Sequence, residues 1–126
     1  MKILGVDYGE KRVGVAVSDE EERIAFPKTV IQNSSSLALN LRDIAYGEGT
    51  LHIVLGESHD FKGAANPVMK NILKLKKALE EFDLTVSMEP EFMTSAQARH
   101  LQGENDKLDS SSAALILQGY LDRKRK

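Results

Sequence analysis

The 126-residue sequence contains no cysteine and no tryptophan, and only three prolines. Without cysteine there is no disulfide, no zinc–thiolate centre and no thiol nucleophile. Aromatic residues make up 6% of the chain, too few for a base-stacking platform of several exposed rings. No apolar run approaches the roughly 20 residues that span a bilayer. The opening, Met1 to Asp7, is a short apolar run broken by an acid and lacks the pattern of a signal peptide. These absences lead to the expectation of a cytoplasmic protein with no membrane partner. The charge has little positive excess to offer either. The 17 basic and 19 acidic side chains leave a formal net charge of -2, and Arg123 to Lys126 are all basic, so the rest of the chain is more acidic still. Such a body is not a general polyanion binder. A nucleic acid must be held at a local patch, through a metal, or by the basic end. The length suits one domain, read here as residues 1–122 followed by a basic tail, 123–126.

The apolar pattern yields a definite order of elements. Lys2 to Asp7 reads as a strand that stops at the turn-forming Asp7-Tyr8-Gly9-Glu10. From Arg12 to Ser18, Val13, Val15 and Val17 alternate with Gly14 and Ala16, the period of a strand pairing back on the first. A third strand covers Arg23 to Gln32, and Pro27 assigns it to an edge or a bulge. Asn33 to Ser36 offer caps to a helix carrying Leu37, Leu41, Ile44 and Ala45, with Gly47 and Gly49 ending it. Leu51 to Leu55 reads as a buried parallel strand. A helix with Val68, Met69, Ile72, Leu75, Leu79 and Phe82 on one stripe follows. Leu84 to Met88 is a strand, Thr94 to about Gln102 a helix, Gly103 to Lys107 a loop, and Ser110 to Arg123 the last helix. Three hairpin-joined strands followed by alternating helices and strands predict an α/β fold: a mixed five-stranded sheet with helices on both faces.

Open sheets of this kind carry their chemistry at the carboxyl ends of strands. Asp7 ends the first strand, Glu91 lies just beyond the fifth, and Asp109 opens the last helix. Three carboxylates converging there repel one another unless a cation neutralises them, and hard oxygen donors suit Mg²⁺ or Mn²⁺. The bland reading of each acid is a helix cap or a solvated turn.

Four segments, in order, resemble one family. Asp7-Tyr8-Gly9-Glu10-Lys11-Arg12-Val13-Gly14-Val15-Ala16 is similar to the opening motif of the YqgF-type family, the Holliday-junction resolvases and nucleases that process the precursor of small-subunit ribosomal RNA. Val54-Leu55-Gly56 with Gly63, Glu91 to Ala98, and Asp109-Ser110 through Leu121 resemble its later motifs. The likeness implies a ribonuclease H-like fold and a metal-dependent endonuclease acting on precursor ribosomal RNA or branched DNA. It implies Asp7, Glu91 and Asp109 as catalytic metal ligands, Lys11 and Arg12 as phosphate contacts, and Thr94 and Ser95 as hydroxyl contacts to the backbone. It allows a monomer, or a homodimer matched to a symmetric junction. Gly9 is expected to permit the tight turn and Gly14 a close backbone approach.

The departures point to a second reading, a weakened module that binds RNA, ribosome or protein on the same scaffold. Glu57-Ser58 replaces the family's Leu-Pro, Pro90 its Asp and Phe92 its Arg. The stretch Arg99 to Lys107 holds few basic residues. Glu57 is either an added ligand or a loop acid. His59 and Asp60 share that loop, and His52 reads as structural. Asp7-x-Gly9 after a strand also resembles the first phosphate motif of the actin and sugar-kinase superfamily, but the chain lacks the length for two lobes.

Overall fold

In a computed structural model, which describes residues 1–57, 67–90 and 106–124, one sheet forms the middle layer. Its strands are β1 (Leu4–Asp7), β2 (Arg12–Ser18), β3 (Ala25–Gln32), β4 (His52–Gly56) and β5 (Thr85–Glu89). The helices are α1 (Leu37–Glu48), α2 (Pro67–Glu80) and α3 (Asp106–Lys124). The strand order is β3-β2-β1-β4-β5. β1 to β3 are antiparallel, while β4 joins β1, and β5 joins β4, in parallel. The mixed sheet with three antiparallel N-terminal strands is the expected one. The expected helix over Thr94 to Gln102 lies outside the described residues.

Period two separates the faces. Leu4, Val6, Val13, Val15, Ile53 and Leu55 pack with Leu37 and Leu41 of α1 and Ile72 and Leu79 of α2. On the other face Ile3, Ala16 and Val54 pack with Ala113, Ile116, Leu117 and Leu121 of α3. That second face also carries Gly5, Ala16 and Gly56, and there α3 lies close to the backbone. A Cβ at Gly5 would stand 2.7 Å from the Cβ of Leu117, and one at Gly56 would stand 2.6 Å from Cδ1 of Ile116. Gly5 and Gly56 are thus two points of close backbone approach between the sheet and α3.

β3 is an edge strand. Its register with β2 shifts between Val15 and Ala16, opposite Thr29 and Pro27. The missing N–H of Pro27 thus falls on an edge, beside the irregularity, as its chemistry requires. α1 ends at Gly49 in the left-handed conformation (φ 76°), whose N–H bonds back to Ala45 and Tyr46. Ser36 occupies the N-cap position without a side-chain cap bond.

The last helix starts four residues earlier than expected and ends one residue later. It begins at Asp106, which places Asp109 within its first turns, and it runs through Arg123 and Lys124. Those two residues, expected in a basic tail, are helical. Arg123 pairs with Glu89, and Lys124 with Glu22 in the β2–β3 turn. Arg125 and Lys126 lie outside the described residues. No helix among the described residues is long and apolar enough to cross a membrane.

Candidate active site at the carboxyl edge of the sheet

Asp7 is the last residue of β1 and pairs across to Gly14. Cross-strand partners share a face. Gly5 and its partner Ala16 face α3, so by alternation Asp7 and Gly14 do too. The same row continues through the parallel strands. Val6 stands beside Leu55, and Leu55 beside Met88. One residue further along, Asp7, Gly56 and Glu89 are level. Adjacent strands lie about 4.8 Å apart, so Asp7 and Glu89 are separated by roughly 10 Å with glycine between them.

The first turns of α3 lie at this edge. Ala113 and Leu117 sit over Gly5, and the other end of the helix reaches the β2–β3 turn through Lys124. Asp109 precedes Ala113 by one turn, about 6 Å of rise. Asp7 follows Gly5 by two residues, again about 6 Å. The two backbone positions therefore advance together from the Gly5–Ala113 contact. Asp109's side chain is not among those described. Glu91, Thr94 and Ser95 lie outside the described residues, as do His59 and Asp60. Among the described residues no three histidines or acids form a group able to hold a metal.

Arg12 opens β2 and pairs with Gln32; by the same alternation it shares the Asp7 face. Lys11 and Arg12 are exposed. The turn bearing Lys11 is held from three directions. The Tyr8 side chain packs against the α1–α2 core. A Cβ on Gly9 would lie 2.3 Å from the Arg12 carbonyl oxygen, which only glycine avoids. Asn33 donates from Nδ2 to the Gly9 carbonyl (2.8 Å), and its N–H donates to the Lys11 carbonyl (2.9 Å).

Glu89 is 2% exposed and bonded to the Arg123 guanidinium. Burial pushes its carboxyl above the ordinary glutamate range, against the pull of Arg123. Its carbonyl accepts the Glu57 N–H at 2.8 Å. Glu57 thus begins the segment after β4 with its backbone tied to β5. Nothing in the sequence beside Glu89 marks it as buried. The signal for its buried role lies 34 residues away, in Arg123. Asn33 was read as a helix cap, and nothing local marks its bonds to the β1–β2 turn. His52 behaves as expected of a structural residue. Its Nε2 is 2.8 Å from the Ser87 hydroxyl, its ring meets Tyr120 edge-on, and burial lowers its pKa.

The arrangement, a strand-end acid beside a helix carrying a second acid and a turn presenting two cations, suits handling of phosphate groups. The family model for the Holliday junction resolvase RuvX matches residues 1–123. The chain belongs to the RuvX family. Its RuvX relatives include proteins of Flavobacterium psychrophilum and Chloroflexus aggregans, both named "Putative pre-16S rRNA nuclease" and both 33% identical; the alignments cover 98% of this chain and 98% and 94% of theirs. The chain shares its fold with Thermus thermophilus RuvC bound to a Holliday junction substrate (TM-score 0.64, 11% identity, 99% of this chain and 96% of that one). The fowlpox virus Holliday junction resolvase also matches (TM-score 0.60, 15% identity, 98% and 99%). These likenesses establish the ribonuclease H-like resolvase fold that the motifs implied.

Proposed function

We propose that this RuvX-family chain is a divalent-metal-dependent endonuclease that hydrolyses phosphodiester bonds in structured nucleic acid, either precursor ribosomal RNA or branched DNA. The observation that supports it best is the position of Asp7, at the end of β1 on the face where the first turns of α3 arrive. Asp7, Glu91 and Asp109 would hold Mg²⁺ or Mn²⁺. An all-carboxylate donor set fits such hard cations and little else. The bound cation supplies water activation and neutralises charge that builds on the phosphate. The chain's own residues do the rest. Asp7 is fixed by its pairing with Gly14 of β2 and so holds its carboxylate at a set height. Lys11 and Arg12 contact phosphates flanking the scissile bond, and Thr94 and Ser95 donate hydroxyls to the nucleic-acid backbone. Attack of water on phosphorus leaves a 5′-phosphate and a 3′-hydroxyl. A nuclease of ribosomal precursor RNA works in the cytoplasm, and a junction with two symmetric strands calls for two copies.

The test is Mn²⁺-dependent cutting of a four-way DNA junction and of a precursor ribosomal RNA fragment. Asp7→Asn is expected to lower cutting by at least about 100-fold, the scale of a lost electrostatic contribution at a reacting phosphate. Equal cutting by the variant removes Asp7 from the mechanism. A second reading, a binding module with weakened catalysis, is favoured by Pro90 and Phe92 and by the few basic residues from Arg99 to Lys107. Absence of any Mn²⁺ effect on thermal stability or cutting, with nucleic-acid binding intact, selects it.

A further inference from the structure

The residue that joins β3 to α1 has no assigned part in this chemistry, yet it reaches the turn that carries Lys11. From its place after β3, Asn33 makes two bonds to the β1–β2 turn, one from the side chain to Gly9 and one from the backbone to Lys11. Its amide is directed away from the α1 N-terminus, where the cap position falls on Ser36 and the Ser34 hydroxyl accepts the Ser36 N–H. Gly9 is half-buried, and a Cβ there would meet the Arg12 carbonyl, so the turn is tight where Asn33 grips it. Lys11 and Arg12 are exposed and would contact an anion most strongly if their backbone were already ordered, because ordering a loop on binding costs free energy. Tyr8 anchors one side of the turn in the core and Asn33 anchors the other.

We infer that Asn33 is a positioning residue that pre-orders the Gly9–Arg12 turn for phosphate contact by Lys11 and Arg12. This rests on the reading of those two residues under the proposed function. The side-chain bond has the right polarity for the task. The amide nitrogen donates to a carbonyl, so Asn33→Asp replaces a donor by a second acceptor and reverses the contact. Asn33→Leu keeps the size and removes only the polar end. The backbone N–H to Lys11 survives in both variants, so the fold of β3 and α1 is retained.

Full-length protein carrying Asn33→Leu, Asn33→Asp or Lys11→Ala would be compared with the wild type by amide hydrogen exchange and by binding to a four-way DNA junction at several salt concentrations without divalent cation. Cutting of the same junction in Mn²⁺ supplies KM and kcat. In both Asn33 variants exchange at residues 9–12 should quicken while β4 and β5 stay protected. The junction Kd should rise roughly three- to tenfold, the scale of one net hydrogen bond. The salt dependence should shallow in the same direction as in Lys11→Ala, by up to about one counterion. KM should rise with kcat kept within about twofold. Adding Lys11→Ala to Asn33→Leu should cost less than the two changes separately, since both act on one contact. Quickened exchange with an unchanged Kd and salt slope would overturn the inference while leaving the nuclease reading intact, as would unchanged exchange. A Lys11→Ala variant that binds like the wild type would remove the phosphate role of the turn, and the inference with it, whatever Asn33 does to exchange.

Discussion

At Gly5 a hydrogen stands where any other residue would drive a carbon into Leu117. The added Cβ would lie 2.7 Å from Leu117 Cβ and 3.2 Å from the Ala113 carbonyl, both close to the helix backbone and unable to swing away. Gly5→Ala should therefore destabilise the protein by about 1–3 kcal/mol, the cost of overpacking a filled interior. Urea unfolding would measure it. The same change lifts α3 from β1 and so moves position 109 relative to Asp7. Cutting should fall more than the fraction of unfolded molecules explains. Single residues were the least legible scale in the sequence. Gly9 could be read because a glycine inside Asp-Tyr-Gly-Glu announces a tight turn. The close approaches at Gly5 and Gly56 were not read, because alternation reveals a face of small residues but not which member meets the helix. Asn33 was grouped with three serines as a cap, since its true acceptor, the Gly9 carbonyl, is 24 residues away.

Among the elements, the strands and the glycine stop of α1 were legible, and the start of α3 was not. Alternating valines in β2 and the apolar runs of β1 and β4 carry their period within a few residues, and Pro27 correctly marked β3 as an edge. The start of α3 was hidden because Asp106 and Lys107 continue a polar stretch after Gly103. Its end, expected at Arg123, falls one residue later, at Lys124. What extends the helix through Arg123 and Lys124 is pairing with Glu89 and Glu22, which no local pattern shows. The Arg123–Glu89 pair also fastens α3 to the end of β5, two residues before Glu91. Removing one partner of a buried ion pair leaves the other uncompensated. Arg123 is half exposed, so water relieves part of the loss. Arg123→Ala should cost about 1–2 kcal/mol at neutral pH. Glu89→Gln, which keeps a hydrogen-bonding group and sheds the buried charge, should cost less. Chemical denaturation of both variants would check the order; a larger loss in Glu89→Gln would refute it.

For the molecule as a whole, the polar fastening between layers complements the two apolar clusters. Glu48, at the end of α1, accepts hydrogen bonds from Lys28 of β3 and from Lys2 just before β1. These bonds, with Lys28 the larger influence, hold its carboxyl below the ordinary glutamate value of 4.5. A lowered folded-state pKa means the stabilisation is complete above that ordinary value and drains away as pH falls through the folded one. Glu48→Gln should thus lower stability near neutrality by roughly 0.5–1 kcal/mol. Its deficit against the wild type should shrink on acidification below about pH 4.5. Thermal melts across that range would show the two curves converging. The fold class was legible at this scale because three hairpin strands followed by alternating helices and strands leave few arrangements of one sheet. The proposed metal-holding trio rests on the family's motifs alone, because 19 acids in 126 residues permit many triples. The outer strand β3 has a consequence for assembly. Pro27 offers no amide to a newcomer, and the break in register beside it puts the flanking carbonyls out of step with a straight partner. That combination disfavours lengthening the sheet on that side with a strand from another molecule, and leaves the rest of the surface as the better place for a twofold contact.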